Sequence, residues 1–237
     1  MTGTLINTGA IVLGGVCGLL FGKLLRPRHQ QTLTMACGVG TLFIGMAGAL
    51  KHMLLNDLFP GGGSMLVVAC LALGGLAGEE LNIEKGFELF GEWLKRKTGN
   101  SGDSGFVNGF LTASLTVCIG AMAIVGALQD GLSGDWSTLG AKAVLDLIIV
   151  MVMTCSLGRG CVFSAIPVFI WEGALTLLAS AVKPVMTDAA MDYLSLVGSV
   201  LIFCVGINLV WGKKIRVVNM LPGVVFAVLA AFLPISF

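Results

Sequence analysis

The sequence predicts an all-α, polytopic bundle of transmembrane helices, and three observations support this fold class. Hydrophobic residues make up 56% of the 237 residues, whereas Asp, Glu, Lys and Arg together make up 11%. A soluble domain carries about a quarter of its residues as charges. The charges here lie between long apolar segments, several of which exceed the roughly 18 residues typical of a membrane span. Glycine is also frequent, at 34 residues, which favours close contacts between membrane helices.

Eight apolar segments are each close to the length that crosses about 30 Å of hydrocarbon. No lysine or arginine precedes the first segment and no small-residue cleavage motif follows it, so we do not expect a secretory signal peptide. We therefore interpret residues 1–237 as a single integral membrane domain. The predicted spans are 5–21, 33–50, 64–78, 106–128, 139–157, 161–182, 194–211 and 217–233.

The connection 155–161 leaves two interpretations open. It is very short, and Gly158, Gly160 and Pro167 interrupt the helical pattern around it. The region is either a full turn between two spans or a broken or re-entrant segment. In the second case the number of spans is smaller than eight.

Basic residues are concentrated in alternate loops, and this distribution predicts the orientation. Short cytoplasmic loops are enriched in Lys and Arg, so the odd-numbered loops are predicted to be cytoplasmic. Both termini are then predicted to lie on the outer, periplasmic face. The basic residues of the odd loops are Lys23, Arg26, Arg28, Lys85, Lys95, Arg96, Lys97, Arg159, Lys213, Lys214 and Arg216.

The third loop, at about 79–104, is predicted to contain an amphipathic helix. Ile83, Phe87, Phe90 and Leu94 recur at helical spacing, and charged residues occupy the rest of the circumference. One interpretation places this helix in the cytoplasmic membrane interface. The other is a short helix that caps the bundle through its own contacts.

Two weak internal repeats are present. The stretch LGGVCG at 13–18 recurs as LGGLAG at 73–78, so the first four spans resemble two similar hairpins. A second repeat joins regions that are predicted to cross in opposite directions. Inverted repeats of this kind are typical of many secondary transporters, although a glycine-rich chain also produces such matches by chance. This second repeat pairs Gly40, Gly48 and 56–61 with Gly198, Gly206 and 219–223.

Two carboxylates fall deep inside predicted spans, Asp146 in the fifth and Glu172 in the sixth. Counting along the segments places Glu172 close to the midplane and Asp146 on its outer side. We expect no lysine or arginine at this depth, so each bare charge would cost roughly 3 kcal/mol or more. The two side chains are therefore predicted to lie within reach of one another or of one shared cavity, to hold at least one proton, and to bind a proton or small cation. Alternatively, each is a protonated side chain that bonds a neighbouring helix.

Four further polar residues are candidates for a binding site near these carboxyls. Asn208 lies in the seventh span and Ser164 lies beside Pro167, but single polar residues more often bond neighbouring helices. Gln129 and Asp130 follow a run of small residues at the outer end of the fourth span. They predict either a polar entrance or an ordinary loop.

Several function classes have no support in the sequence. The net charge is +1 and no basic patch with interleaved aromatics occurs, so nucleic-acid binding is not expected. The seven cysteines form no C-x-x-C and lie in or beside apolar segments, so we expect reduced thiols and no metal site. His29 and His52 lie at opposite predicted faces, and hydrolase, P-loop and dinucleotide motifs are missing. We expect neither enzymatic activity nor a cofactor.

Two motifs, CIGAMAIVGALQDGLSGD at 118–135 and FSAIPV at 163–168, resemble the YqgA/YdfK family of bacterial inner-membrane proteins, also called domain of unknown function 554. The resemblance extends over essentially the whole chain. The family motif after the proline often reads Tyr-Gln-Gly, whereas this chain has Trp171-Glu172-Gly173. The resemblance implies an inner-membrane location and a transport function, but neither a substrate nor a site.

The patterns favour transport of a small solute or ion across a bacterial inner membrane without ATP hydrolysis, by a secondary transporter or a channel, with the lipid bilayer as the surrounding partner. The alternative is a structural or assembly protein whose glycine-lined helices bind a partner or a second copy. Gly14, Gly18 and Gly22 lie on one helix face and predict a close contact, either within one chain or in a homo-oligomer. A transporter requires a polar cavity that reaches the midplane, whereas an assembly protein can be solidly packed.

Overall fold

The computed structural model describes residues 1–22, 24, 26–55, 62–118 and 121–232, and this part of the chain contains helices and no strands. The all-α prediction is confirmed. A 3₁₀-helix, Arg159–Ser164, precedes α8. The α-helices are α1 Thr2–Gly22, α2 Pro27–Leu55, α3 Gly62–Leu81, α4 Ile83–Lys97, α5 Phe106–Cys118, α6 Ala121–Ser133, α7 Ser137–Leu157, α8 Ala165–Leu177, α9 Ala179–Val182, α10 Asp188–Trp211, α11 Val217–Met220 and α12 Pro222–Ala230.

Six segments of the described chain are long and apolar enough to cross a membrane. They are α1, α2, α3, α7, the 3₁₀-helix together with α8, and α10. α5 and α6 are inclined by 62° and together form a seventh, broken span. The apolar segment Val217–Ala230 is shorter, and the rest of the predicted span 217–233 lies outside the described residues. These elements agree with the prediction of about eight spans.

The broken span α5–α6 packs along the span formed by the 3₁₀-helix and α8. A Cβ atom at Gly109 of α5 would contact Cys161 at the start of that span, whereas one at Gly131 of α6 would contact Ala179 beyond its end. Since α5 contacts one end of that span and α6 the other, the chain continues across the bundle after the bend. The sequence pattern of 106–128 did not predict this break.

The connection 155–161 is a full turn between two spans. α7 ends at Leu157, and Gly158 has φ +90° before the 3₁₀-helix begins at Arg159. Only glycine adopts such a conformation without strain, which explains how so short a turn reverses the chain. The interpretation as a full turn is therefore confirmed.

Large apolar side chains cover the outside of the bundle. Leu13 is 61% exposed, Phe43 is 66% exposed and Leu76 is 67% exposed. A protein surrounded by water rarely leaves extensive apolar surface uncovered. The surface instead matches a hydrocarbon environment, in which helices satisfy their own backbone groups.

The glycine face of α1 packs against α7 of the same chain. A Cβ atom at Gly14 would collide with the carbonyl oxygen of Leu147, and one at Gly18 would lie 2.5 Å from that of Met151. Because the residue numbers of the contacting pairs increase together along the two helices, α1 and α7 run parallel. The predicted close contact is confirmed, and it forms within one chain.

α2 and α10 pack against each other in opposite directions. Gly38 faces Val210, whereas Gly48 faces Ser199. An inverted repeat requires this antiparallel relation, and Gly48 takes part in the contact, but a Cβ atom at Gly40 would meet nothing within 4 Å. The matching segment 56–61 lies outside the described residues. The inverted repeat therefore stays a prediction.

The predicted cytoplasmic loops meet at one end of the bundle. Lys23, which was assigned to the first of these loops, lies outside the described residues. The opposite end holds the N-terminal amine, which lies 2.7 Å from Asp130 Oδ2. Three contacts join the third, fifth and seventh loops: Arg216 with Glu79 (2.9 Å), Lys213 with Glu84 (2.6 Å) and Arg159 with Asn100 (3.0 Å).

The predicted amphipathic helix is α4, which packs one face against the bundle. Gly91 and Leu94 are buried, and a Cβ atom at Gly91 would lie 3.2 Å from Phe110 of α5. Leu89 and Trp93 on another face are 58% and 52% exposed. The helix therefore caps the bundle through its own contacts. Its exposed apolar face fits a membrane interface, and that location stays a prediction.

Candidate functional site

A buried hydrogen bond joins α1 to α8. Asn7 Nδ2 donates to Glu172 Oε1 at 2.8 Å, and both residues are 0% exposed. Val168 precedes Glu172 by four residues, so the two lie on one face of α8, and Val168 packs in the same buried cluster as Ile11 of α1. This apolar contact holds the two helices together around a polar pair.

Lys142 of α7 lies between Asp146 and Glu172, the two carboxylates that were predicted as site residues. Its ammonium forms a short ion pair with Asp146, one helical turn along the same face, and lies 3.5 Å from Glu172 Oε1. Lys142 is 6% exposed and Asp146 is 4% exposed. Asp146 and Glu172 therefore lie in one cluster, as the sequence predicted. We call Asn7, Lys142, Asp146 and Glu172 the ionic cluster.

The expectation that no basic residue lies at this depth is wrong. The Cα atom of Lys142 is near the start of α7, but its four-carbon side chain reaches inward to Asp146. A lysine side chain can bury its methylene stem and place its ammonium well away from its own Cα. Position along the helix therefore underestimates the depth of the charge.

The predicted depths of the two carboxylates are also reversed. Asp146 lies close to the middle of α7, whereas Glu172 lies near the C-terminal end of α8, which stops at Leu177. The predicted span continued to 182, but the chain breaks at Leu178 and residues up to Val182 form the separate helix α9. The shorter span moves Glu172 away from the midplane.

The ionic cluster contacts the carboxyl end of the half-helix α5. Lys142 Nζ donates to the carbonyl oxygen of Val117 at 2.9 Å, and α5 ends at Cys118. The last four carbonyls of a helix have no partner inside it, and the helix dipole makes this end negative. The break between α5 and α6 therefore supplies an acceptor for a buried ammonium.

Asp130 lies at the end of the site nearest the N-terminus and not in a free entrance. Its Oδ2 atom pairs with the Met1 amine at 2.7 Å and accepts the Gly3 N–H at 2.9 Å. Between Asp130 and the ionic cluster, the hydroxyls of Thr4 and Thr176 lie 3.2 Å apart. Polar groups therefore extend from Glu172 toward the N-terminus.

The other three candidates lie apart from the ionic cluster. Gln129 accepts a hydrogen bond from Thr138 at 2.6 Å. Ser164 donates to the carbonyl of Cys161 at 2.7 Å. Asn208 lies at the basic end, where its Oδ1 atom accepts N–H groups of the loop after α10 and its Nδ2 atom donates to the Ile215 carbonyl. Each has a local partner that explains its position.

Two oxygens of the ionic cluster have no hydrogen-bond partner. They are Asn7 Oδ1 and Glu172 Oε2, and both are buried. A buried acceptor without a donor costs about 1–3 kcal/mol. The hydroxyls of Ser114 and Thr154 are also buried without a partner.

A cavity lined by both polar and apolar side chains enters the bundle at the basic end. Its volume is 380 Å³, and it extends from Lys213 and Glu84 to Thr112 and Leu115 on α5. A transporter requires a polar cavity that reaches the midplane. This one leads to α5 but does not include the ionic cluster among its lining residues.

A second, mainly apolar cavity of 860 Å³ lies among α4, α5, α8, α10 and α12. Its wall includes Ser114 and Cys118. Cys118 adjoins Val117, the residue that accepts the hydrogen bond from Lys142. This cavity and the ionic cluster therefore adjoin neighbouring residues of α5.

Sequence reasoning missed Asn7 as a member of the site and discounted Lys142. The available signal was an amide inside an otherwise apolar first span, because polar groups in a membrane normally face a partner or a cavity. Lys142 and Asp146 also have the spacing of an ion pair on one helix face.

The described residues contain no group of three or more His, Cys, Asp or Glu side chains that could hold a metal ion. The ionic cluster has two carboxylates, and the ammonium between them takes the place that a divalent cation would need.

These features define an α-helical integral membrane protein with charged groups buried inside its bundle. The chain belongs to the family described as "Protein of unknown function (DUF554)", whose model matches residues 2–232. The resemblance found in the sequence motifs is therefore confirmed.

Two relatives match over nearly their whole length. The chain is 29% identical over 233 residues to the uncharacterized membrane protein YdfK of Bacillus subtilis (strain 168), with 98% of this chain and 96% of the relative covered. It is 32% identical over 233 residues to the uncharacterized protein YqgA of Escherichia coli (strain K12), with 95% and 94% covered. No solved structure matches the chain.

Proposed function

We propose that the protein is a secondary transporter of a small solute or ion in the bacterial inner membrane. The observation that supports the proposal is the ionic cluster. Burying charges is costly, and apolar side chains of similar volume often stabilise a protein as well or better. A bundle needed only for packing has no use for Lys142, Asp146 and Glu172 in its interior.

The position of the cluster supports the same function. It lies at the end of the half-helix α5, where Lys142 bonds the carbonyl of Val117. Many transporters place their ion and solute sites at the ends of discontinuous helices inside the membrane. The two cavities that reach α5 supply candidate access routes.

The orientation belongs to this proposal. Loops rich in Lys and Arg meet at one end of the bundle, and such loops are normally cytoplasmic. The N-terminus, at the opposite end, is then periplasmic, and an even number of spans also places the C-terminus there.

The glycine face of α1 does not support the alternative role as an assembly protein. Gly14, Gly18 and Gly22 face α7 of the same chain, so this face is not free to bind a partner. A homo-oligomer formed through other lipid-facing surfaces stays a prediction. We propose no chemical transformation of the solute.

A thermal-shift screen of the purified protein against ions and metabolites tests the proposal. A ligand at one hundred times its dissociation constant should stabilise the fold by about 2.7 kcal/mol. We expect the stabilisation to disappear in the double variant Asp146→Asn/Glu172→Gln, which preserves side-chain size. A ligand that stabilises parent and variant equally would place the solute site elsewhere.

A further inference from the structure

We propose that Glu172 carries an exchangeable proton on Oε2 and shares it with Asn7 Oδ1, so that the proton is the ion bound at the cluster. A role for this proton as the coupling ion rests on the transport function proposed above. The presence of the proton on Glu172 is supported by the geometry of the two side chains.

The amide of Asn7 and the carboxyl of Glu172 face each other as a pair. Asn7 Nδ2 donates to Glu172 Oε1 at 2.8 Å, while Asn7 Oδ1 and Glu172 Oε2 are buried without a donor. An ionised carboxylate has only acceptors, but a protonated one has an O–H donor. One proton on Oε2 donated to Asn7 Oδ1 closes a ring of two hydrogen bonds. It satisfies both unpaired oxygens at once.

The net charge of the ionic cluster also favours a protonated Glu172. Lys142 forms its short ion pair with Asp146 and lies farther from Glu172, at 3.5 Å. Lys142 and Asp146 therefore neutralise each other, and an ionised Glu172 would leave one net negative charge in the bundle interior. A protonated Glu172 leaves none, which avoids the cost of burying an unpaired charge.

The surroundings of Glu172 are consistent with this count. α7 contributes Lys142 and Asp146, and α5 contributes the thiol of Cys118. One turn outward, Asp130 of α6 is already paired with the Met1 amine. The groups on α1 nearest to Glu172, Asn7 and Thr4, are uncharged. Nothing in this set supplies a second positive charge for Glu172.

A route for exchange with solution lies on the side of the cluster nearest the N-terminus. The hydroxyls of Thr4 and Thr176 lie 3.2 Å apart between the ionic cluster and Asp130, and Met1, whose amine pairs with Asp130, is 38% exposed. Hydroxyls both donate and accept. Exchange of the Glu172 proton is therefore expected from this side of the cluster, and the carboxylate remains behind when the proton leaves.

Infrared spectroscopy of the protein in lipid vesicles at neutral pH tests the proposal without any substitution. A protonated carboxyl has a carbonyl stretch separate from that of a carboxylate. In protein labelled with ¹³C-glutamate this band should shift to lower frequency, and ¹³C-aspartate should leave it in place. A missing band, or a band that shifts only with labelled aspartate, would overturn the proposal.

Two variants check the assignment to Glu172. The band should disappear in Glu172→Gln and stay unchanged in the control Glu79→Gln, whose carboxylate pairs with Arg216 at 2.9 Å. Loss of the band in Glu79→Gln or its persistence in Glu172→Gln would contradict the assignment. The outcome is independent of transport, because a band on Glu172 in a protein that transports no solute would remove the transport function but keep the proton site.

Discussion

The ammonium nitrogen of Lys142 lies 2.9 Å from the carbonyl oxygen of Val117, at the end of a helix that stops inside the bundle. The same ammonium pairs with Asp146 and lies near Glu172. Lys142 therefore joins the break in α5–α6 to the two buried carboxyls.

Lys142→Met should be strongly destabilising. It leaves Asp146 without its counter-ion, and breaking one partner of a buried ion pair costs about 3–5 kcal/mol. The double variant Lys142→Met/Asp146→Leu removes both charges and should be less destabilised than the single variant. Unfolding midpoints of the purified proteins in detergent measure both effects. Equal midpoints for the single and double variants would contradict the pairing.

Asp146→Asn should change the protonation of Glu172. With Asp146 neutral, Lys142 has only Glu172 to pair with, so Glu172 should release its proton. The carbonyl band of labelled glutamate should then be lost at neutral pH, although Glu172 itself is intact. A band that persists at full strength would show that Lys142 does not sense both carboxyls.

Gly18→Leu should lower the stability of the fold, because its new side chain would meet the Met151 carbonyl and Thr154 of α7. Overpacking of a tight contact typically costs about 1–3 kcal/mol. Gly9→Leu is a matched control on the same helix, since a Cβ atom there would meet nothing within 4 Å. Melting temperatures in detergent compare the two variants. Similar losses would mean that leucine disturbs α1 itself.

The contribution of Lys213 to the contact with α4 should be lost in the alkaline range as its ammonium is deprotonated. The hydrogen bond to Glu84 raises the pKa of Lys213 above its ordinary value of 10.5. A raised pKa means that the stabilisation is complete below that value and is lost as the pH rises through the folded-state pKa. Lys213 is half exposed, so Lys213→Met should cost below about 1 kcal/mol. Unfolding of both proteins should differ equally at neutral and mildly alkaline pH. A difference that already shrinks between neutral and mildly alkaline pH would contradict the sign.

Topology can be tested with a pair of cysteine substitutions in exposed loops. Ser101→Cys lies at the basic end and should be protected from a membrane-impermeant thiol reagent added to intact cells with a permeable outer membrane. Thr187→Cys lies before α10 and should be labelled. The parent protein measures the background from its own cysteines. The opposite labelling pattern would show that the protein has the opposite orientation in the membrane.

The fold was largely predictable because the bilayer imposes simple rules on length and charge. Segment length predicted α1, α2, α3, α7 and α10, and the spacing of Gly14 and Gly18 predicted a close helix contact. The bend between α5 and α6 was missed because both halves are equally apolar. Hydropathy carries no information about direction within an apolar run.

The site was predictable only in part. Asp146 and Glu172 attract notice because carboxylates are costly in hydrocarbon. Their link through Lys142 depends on a long side chain whose direction is set by α5 and α8. The role of Asn7 depends on α1 packing against α8, which lies far away in the sequence. Such pairings follow from tertiary packing and not from local patterns.

The most direct test of the account is uptake of the solute identified by thermal shift into vesicles that contain the purified protein. We predict that an inward proton gradient drives accumulation by the parent protein. Glu172→Gln should retain exchange of the solute across the membrane but lose accumulation driven by the gradient. Accumulation by Glu172→Gln equal to that of the parent, or no uptake by the parent above protein-free vesicles, would contradict the account.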